Sequence, residues 1–186
     1  MNVDDLALIK VVSDGIDGID SIDGTDGTDG IDGIDGIENT ATVVSLLEQK
    51  ANPAAKDNFG MNALMWASLF GKTDIVERLL QHGADLAAKD DFGYDALMRA
   101  SSRGFTDTVG RLLEHKANPA ARDNDGNTAL IWASYFGKID TVARLLEGGA
   151  DLAAKNNLGK TALMRASIRG FTDIVTMLDR RERYER

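Results

Sequence analysis

The sequence predicts an all-α solenoid of helix–turn–helix units joined by β-turn loops. Three observations carry that prediction. A word of 33 residues recurs from Lys56, Lys89, Arg122 and Lys155, the last copy losing the pattern near its end. A fixed period of about this length marks a fold in which each unit stacks only on its neighbours. Within each word, apolar residues recur at i, i+1, i+4 and i+5, the spacing of one helical face. Glycines stand where each apolar run stops, as at Gly71 and Gly83, and glycine tolerates the left-handed conformation that ends helices.

The elements follow in order. Ala63, Leu64, Ala67 and Ser68 form a stripe of small residues that predicts a first helix able to approach its neighbours closely. Thr73 or Asp74 is the expected N-cap of the second helix, and Ile75, Val76, Leu79 and Leu80 are its apolar face. Asp85–Gly93 predicts an extended loop with a turn at Asp90-Asp91-Phe92-Gly93. Lys116 replaces the terminal glycine in the second full word. A left-handed backbone there costs about 1 kcal/mol. A second period of 66 residues lies within the first. One first-helix position reads Trp66, Arg99, Trp132, Arg165, and the position four later reads Phe70, Arg103, Phe136, Arg169. Thr40–Lys56 matches Thr106–Arg122, so a lone helix over about Thr40–Gln49 is expected to precede four helix pairs. The last helix, from Thr172, carries Asp179 where earlier words carry leucine, and it ends polar. A terminal repeat needs such an end because its outer face meets water.

These residues closely resemble the ankyrin repeat, whose signature is D-x-x-G-x-T-P-L-H-x-A-x-x-x-G-x-x-x-I-V-x-x-L-L-x-x-G-A-D. The resemblance covers about residues 40–186 and implies an ankyrin-repeat solenoid: a half repeat at 40–55, then repeats at 56–88, 89–121, 122–154 and 155–186. The family's T-P-L-H stands here as Asn62-Ala63-Leu64-Met65, Asp95-Ala96-Leu97-Met98, Thr128-Ala129-Leu130-Ile131 and Thr161-Ala162-Leu163-Met164. Apolar packing is expected where the family places a hydrogen-bonding histidine.

The chain holds 186 residues with no Cys and a net charge of −9. Cysteine chemistry is therefore excluded. Residues 1–39 carry ten Asp, one Glu and one Lys, so the acidity sits there; residues 40–186 carry 20 Lys and Arg against 19 Asp and Glu. Gly15–Glu38 is a run of Gly-Ile-Asp and Gly-Thr-Asp triplets, broken once by Ser21 and closed by Glu38. Collagen normally adds proline, which is missing here. The calcium loops of helix–loop–helix and β-roll type need spacings that are also missing. Residues 1–38 are expected to be a disordered acidic tail, with Met1–Val12 forming at most a short apolar turn or strand. Weak cation binding by the triplets is the alternative. No basic, apolar leader opens the chain and no run approaches a membrane span, so a cytoplasmic location is expected, with export by an unrecognised route left open.

The resemblance implies a non-catalytic protein–protein interaction module that uses the concave first-helix face and the loop tips. Position by position the tips are Asn58, Phe59 and Met61; Asp91, Phe92 and Tyr94; Asn124, Asp125 and Asn127; and Asn157, Leu158 and Lys160. The helix positions are Leu69 and Phe70, Ser102 and Arg103, Tyr135 and Phe136, and Ile168 and Arg169. Phe59 and Phe92 either meet a partner or pack on the next turn. Trp66, Arg99, Trp132 and Arg165 suggest a ladder with each arginine pair between aromatics, either internal or facing an acidic partner, which the tail itself could be. A cation over a ring is worth about 0.5–2 kcal/mol. His82 and His115 share one slot near a helix C-terminus, where a cation suits the helix dipole. No phosphate loop, metal spacing or nucleophile motif is present, so no enzyme, cofactor or metal is expected. A near-neutral body with an acidic tail argues against nucleic acid. The expected partner is another protein, met by a monomer that touches no membrane. A secreted effector acting on a host protein, and tail-mediated assembly with calcium, are the alternatives.

Overall fold

The structure is a computed structural model that describes residues 3–14 and 35–184. Its helices are α1 (Val3–Asp14), α2 (Asp35–Glu48), α3 (Ala63–Leu69), α4 (Thr73–Gln81), α5 (Ala96–Arg103), α6 (Thr106–Glu114), α7 (Ala129–Tyr135), α8 (Ile139–Glu147), α9 (Ala162–Arg169) and α10 (Thr172–Tyr184). They stack as two layers. Helices α1, α3, α5, α7 and α9 pack in succession, and α2, α4, α6, α8 and α10 form the second row behind them. The core between the rows repeats like the sequence. Leu64, Leu97 and Leu130 face it from the first row, Val76, Val109 and Val142 from the second, each at most 1% exposed. Ala67, Ala100, Ala133 and Ala166 are fully buried, and their short side chains let neighbouring first helices come close. Met65, Met98 and Ile131, in the slot where the family has histidine, are each 1% exposed, so that slot is apolar core.

Capping differs from the expectation. Neither Thr73 nor Asp74 caps α4; the N-cap is Lys72, whose side chain makes no capping hydrogen bond. Thr73 is instead the first helical residue, and its hydroxyl bonds Thr108 Oγ1 of the next repeat at 2.8 Å. Thr106 and Thr141 repeat that bond at 2.9 Å. The capping side chains belong to the first helices: Asn62, Asp95, Thr128 and Thr161 accept from the backbone N–H of Met65, Met98, Ile131 and Met164. Each satisfies a donor that has no partner within its helix. Lys116 is left-handed at φ 73°, as the glycine slot requires. Gly71 serves close approach as well as conformation, since a Cβ there would lie 2.4 Å from the Phe105 ring.

The N-terminus departs most from the expectation. Val3–Asp14 is a helix rather than a turn or strand, and it packs against α2 and α3 as α3 packs against α4 and α5. Leu8, Ile9 and Val12 are at most 4% exposed, and Asp5 accepts the backbone N–H of Asn52 at 2.7 Å. The helix expected over Thr40–Gln49 begins earlier, at Asp35, and is not alone. A sequence signal for α1 exists. Ala7-Leu8-Ile9-Lys10 and Ser13-Asp14-Gly15 parallel Ala96-Leu97-Met98-Arg99 and Ser102-Arg103-Gly104. Residues 16–38 separate this stretch from its expected continuation at Asn39 and hide the match. The triplets over residues 15–34, with the proposed cation binding and self-masking, lie outside the described residues.

The C-terminal end is polar only along α10, where Arg183 pairs with Asp179 at 2.6 Å. The first-helix half of the same repeat stays apolar and open: Leu158 is 74%, Ile168 65% and Met164 43% exposed.

Candidate functional site

Each loop is organised by the residue that opens its turn. Asp57 Oδ1 accepts the N–H groups of Phe59 at 2.8 Å and Met61 at 2.9 Å. Asp90 does the same for Phe92 and Tyr94, Asp123 for Asp125 and Asn127, and Asn156 for Leu158 and Lys160. A side chain that accepts from the backbone two and four residues on holds the turn closed. Consecutive turns are then tied together. Asp91, Asn124 and Asn157 donate their N–H to the carbonyls of Phe59, Phe92 and Asp125 at 3.2, 3.1 and 2.9 Å. The amides of Asn124 and Asn157 donate to the carbonyls of Asp91 and Asn124 at 3.0 and 3.1 Å. The tips therefore form one edge stitched by hydrogen bonds.

The second carboxylate oxygen of each aspartate anchors the first helix. Asp57 Oδ2 accepts Trp66 Nε1 at 2.8 Å and Asp123 Oδ2 accepts Trp132 Nε1 at 2.8 Å. Asp90 Oδ2 pairs with Arg99. Sequence reading missed this role, although the signal was present: each word places the turn-opening residue nine positions before its Trp or Arg. The fourth word breaks the rule. Asn156 turns an amide donor where the others have an acceptor, and its Nδ2 bonds Asn127 Oδ1 at 2.8 Å.

The ladder pairs differently from the expectation. No arginine stacks between tryptophans among the described residues. Arg99 lies over Tyr94 at 4.5 Å, and Arg165 and Arg169 both lie over Tyr135, at 5.3 and 4.9 Å. The tryptophans stack within their own helices, Trp66 on Phe70 and Trp132 on Phe136, each with centroids 5.7 Å apart. Tyr94 and Tyr135 join Trp132 from two sides at 5.4 and 5.9 Å. For Arg99 the physical reason is the nine-residue anchor: held to Asp90 in its own loop, it lies over Tyr94 of that loop. Arg165, without a carboxylate at that position, lies over Tyr135 of the preceding first helix. Burial and the neighbouring Asp123 push the Tyr94 phenol up to about 12, so it stays protonated.

The expected binding residues divide by exposure. Phe59 and Phe92 are each 60% exposed, so most of each ring is free of the next turn. Asn58, Asp91, Arg103, Asn124, Asp125, Phe136, Leu158 and Arg169 are also exposed. Trp66, Leu69, Phe70, Tyr94, Arg99, Trp132, Tyr135 and Arg165 are half-buried, presenting part of their surface. Met61 is buried at 3% exposure, and Asn127 at 2%. Both point inward from the turn, so neither lies on the accessible face. The two histidines belong to the second row. His82 Nδ1 lies 2.9 Å from the Arg78 carbonyl, and His115 Nε2 lies 3.1 Å from Glu77 Oε2. Both are helix C-caps.

A stack of paired helices with stitched loops and an exposed aromatic edge is a repeat solenoid of the recognition class. The family model for ankyrin repeats in three copies matches residues 36–123, 74–156 and 112–182. The chain belongs to the ankyrin-repeat family, whose repeats are in general protein–protein interaction modules. No curated protein matches the chain. Among the described residues, no helix is long and apolar enough to cross a membrane.

Proposed function

We propose that the chain is a non-catalytic recognition module that binds one partner protein, as a monomer, through its first-helix face and loop tips. One observation carries this reading. Phe59, Phe92 and Leu158 stand largely exposed on loops that are locked by aspartate or asparagine turns and by hydrogen bonds to one another. A solvated turn has no need of large apolar side chains, and aromatic and arginine side chains dominate binding hot spots. Because the loops are already ordered, binding loses little further conformational entropy. A cytoplasmic setting fits the same reading.

The test is affinity capture from the native cell extract with the full chain and with a Phe59→Ser/Phe92→Ser/Phe136→Ser variant. Both baits should stay folded, with any small fall in melting temperature coming from Phe136, which stacks on Trp132 and Tyr135, while Phe59 and Phe92 are largely exposed. A protein retained by the first and lost from the second supports the assignment. Equal capture by both would move the binding surface to the second row of helices.

A further inference from the structure

The alternating Trp and Arg of the first helices meet a carboxylate in three words and an amide in the fourth. Arg99 is neutralised by Asp90. Arg165, its counterpart 66 residues on, has Asn156 at the position where Arg99 has Asp90, and Asn156 Oδ1 is taken by the turn while its Nδ2 is directed at Asn127. Arg165 and Arg169 share the ring of Tyr135 and form no ion pair among the described residues; the Nε atoms of Arg99 and Arg165 are alike buried without an acceptor, so the missing carboxylate is what sets Arg165 apart. Two guanidinium groups gathered on one ring repel each other unless an anion lies between them. Guanidinium matches carboxylate in a two-point, charge-assisted geometry. Exposed Leu158, Met164 and Ile168 belong to the same repeat.

We infer that Arg165 and Arg169, floored by Tyr135, receive a carboxylate from an acidic peptide segment of the partner, whose neighbouring aliphatic side chains cover Leu158, Met164 and Ile168. The assignment rests on the reading of the first-helix face as the recognition surface. A polyanion such as nucleic acid is disfavoured, because two arginines are a small patch on a chain of net charge −9.

The decisive variant is Asn156→Asp, which gives Arg165 the carboxylate that Asp90 gives Arg99. Aspartate already closes the turns at Asp57, Asp90 and Asp123, so the turn should form. The variant loses the Asn156 Nδ2 bond to Asn127 Oδ1, so its melting temperature is measured beside its binding, and the Arg165→Met/Arg169→Met variant, which keeps that bond, tests the site independently. The probe is a fluorescein-labelled dodecapeptide alternating aspartate and leucine, followed by anisotropy at low salt, beside its asparagine–leucine counterpart. The full chain should bind the acidic peptide, prefer it to the neutral one and lose affinity as salt rises. Asn156→Asp and Arg165→Met/Arg169→Met should each weaken binding about tenfold, as expected for losing a charge-assisted contact. Undiminished binding in either variant, equal binding of the neutral peptide, or no binding to the full chain would overturn the carboxylate site. None of those results touches the capture experiment with the phenylalanine variant, so the two readings fail separately.

Discussion

At Asp95 a carboxylate caps α5 while remaining only 3% exposed. Burial holds its pKa up at about 6, against an ordinary value of 3.8, although the Met98 N–H pulls the other way. The folded chain therefore binds more protons than the unfolded chain between these two values. Its contribution to stability is complete below about pH 4 and is lost as pH rises through about 6. The displacement corresponds to about 3 kcal/mol. The first repeat caps without charge: Asn62 accepts from the Met65 N–H at 3.0 Å, and its Nδ2 is left buried without a partner. Asp95→Asn should keep the cap and flatten stability between pH 4 and 6, while at pH 7 the gain from removing the buried charge, up to about 3 kcal/mol, is offset by about 1–3 kcal/mol for a buried amide Nδ2 like that of Asn62. Urea unfolding at a series of pH values measures this, and an unchanged slope would show that Asp95 is solvated. The turn aspartates show the limit of reading residues singly. Their type and spacing were visible, but an aspartate at a turn is explained by the turn alone. Only the fold shows that its second oxygen holds a Trp or Arg nine residues later.

Among the elements, α1 has the most to tell. It is short, and it is separated from α2 by the triplets, yet it buries Leu8, Ile9 and Val12. Burial of that kind makes α1 part of the repeat stack rather than of a tail. Leu8→Ala is expected to destabilise the chain by about 2–4 kcal/mol, as a large-to-small change in a packed core does. Removing residues 16–38, which include the first turn of α2, so that Gly15 joins Asn39 as Gly104 joins Phe105 and α2 starts at Thr40 as α6 starts at Thr106, should leave the melting temperature unchanged or slightly raised. Loop length adds entropy cost only slowly. Calorimetry on the two variants separates the roles; a Leu8→Ala variant melting like the parent would return α1 to the tail. The remaining helices were readable because apolar spacing, glycine stops and capping residues agree within each word. The cap of α4, expected at Thr73 or Asp74, falls at Lys72, and the Thr73 hydroxyl is claimed by Thr108 across the repeat boundary. No local rule registers that competition.

Among the described helices the main contacts of each repeat are with its neighbours, so stability is approximately a sum of units and interfaces. Leu79 is fully buried at the centre of such a unit. Leu79→Ala should cost about 2–5 kcal/mol, and amide exchange should quicken in the flanking repeats as well as in its own. Faster exchange confined to residues 73–81 would show repeats that fold independently. The sequence by itself determined the period, the two rows of helices, the core positions and the family, because those depend on chemistry repeated inside every word. Tertiary structure alone decided which ring each arginine lies over, that Met61 turns inward while Phe59 and Phe92 stay out, that α1 joins the stack, and that the last repeat leaves Met164 and Ile168 open. Each of these depends on what the adjacent repeat offers. In a solenoid the same word buries a residue in mid-stack and exposes it at the end, since burial there is supplied by the neighbour.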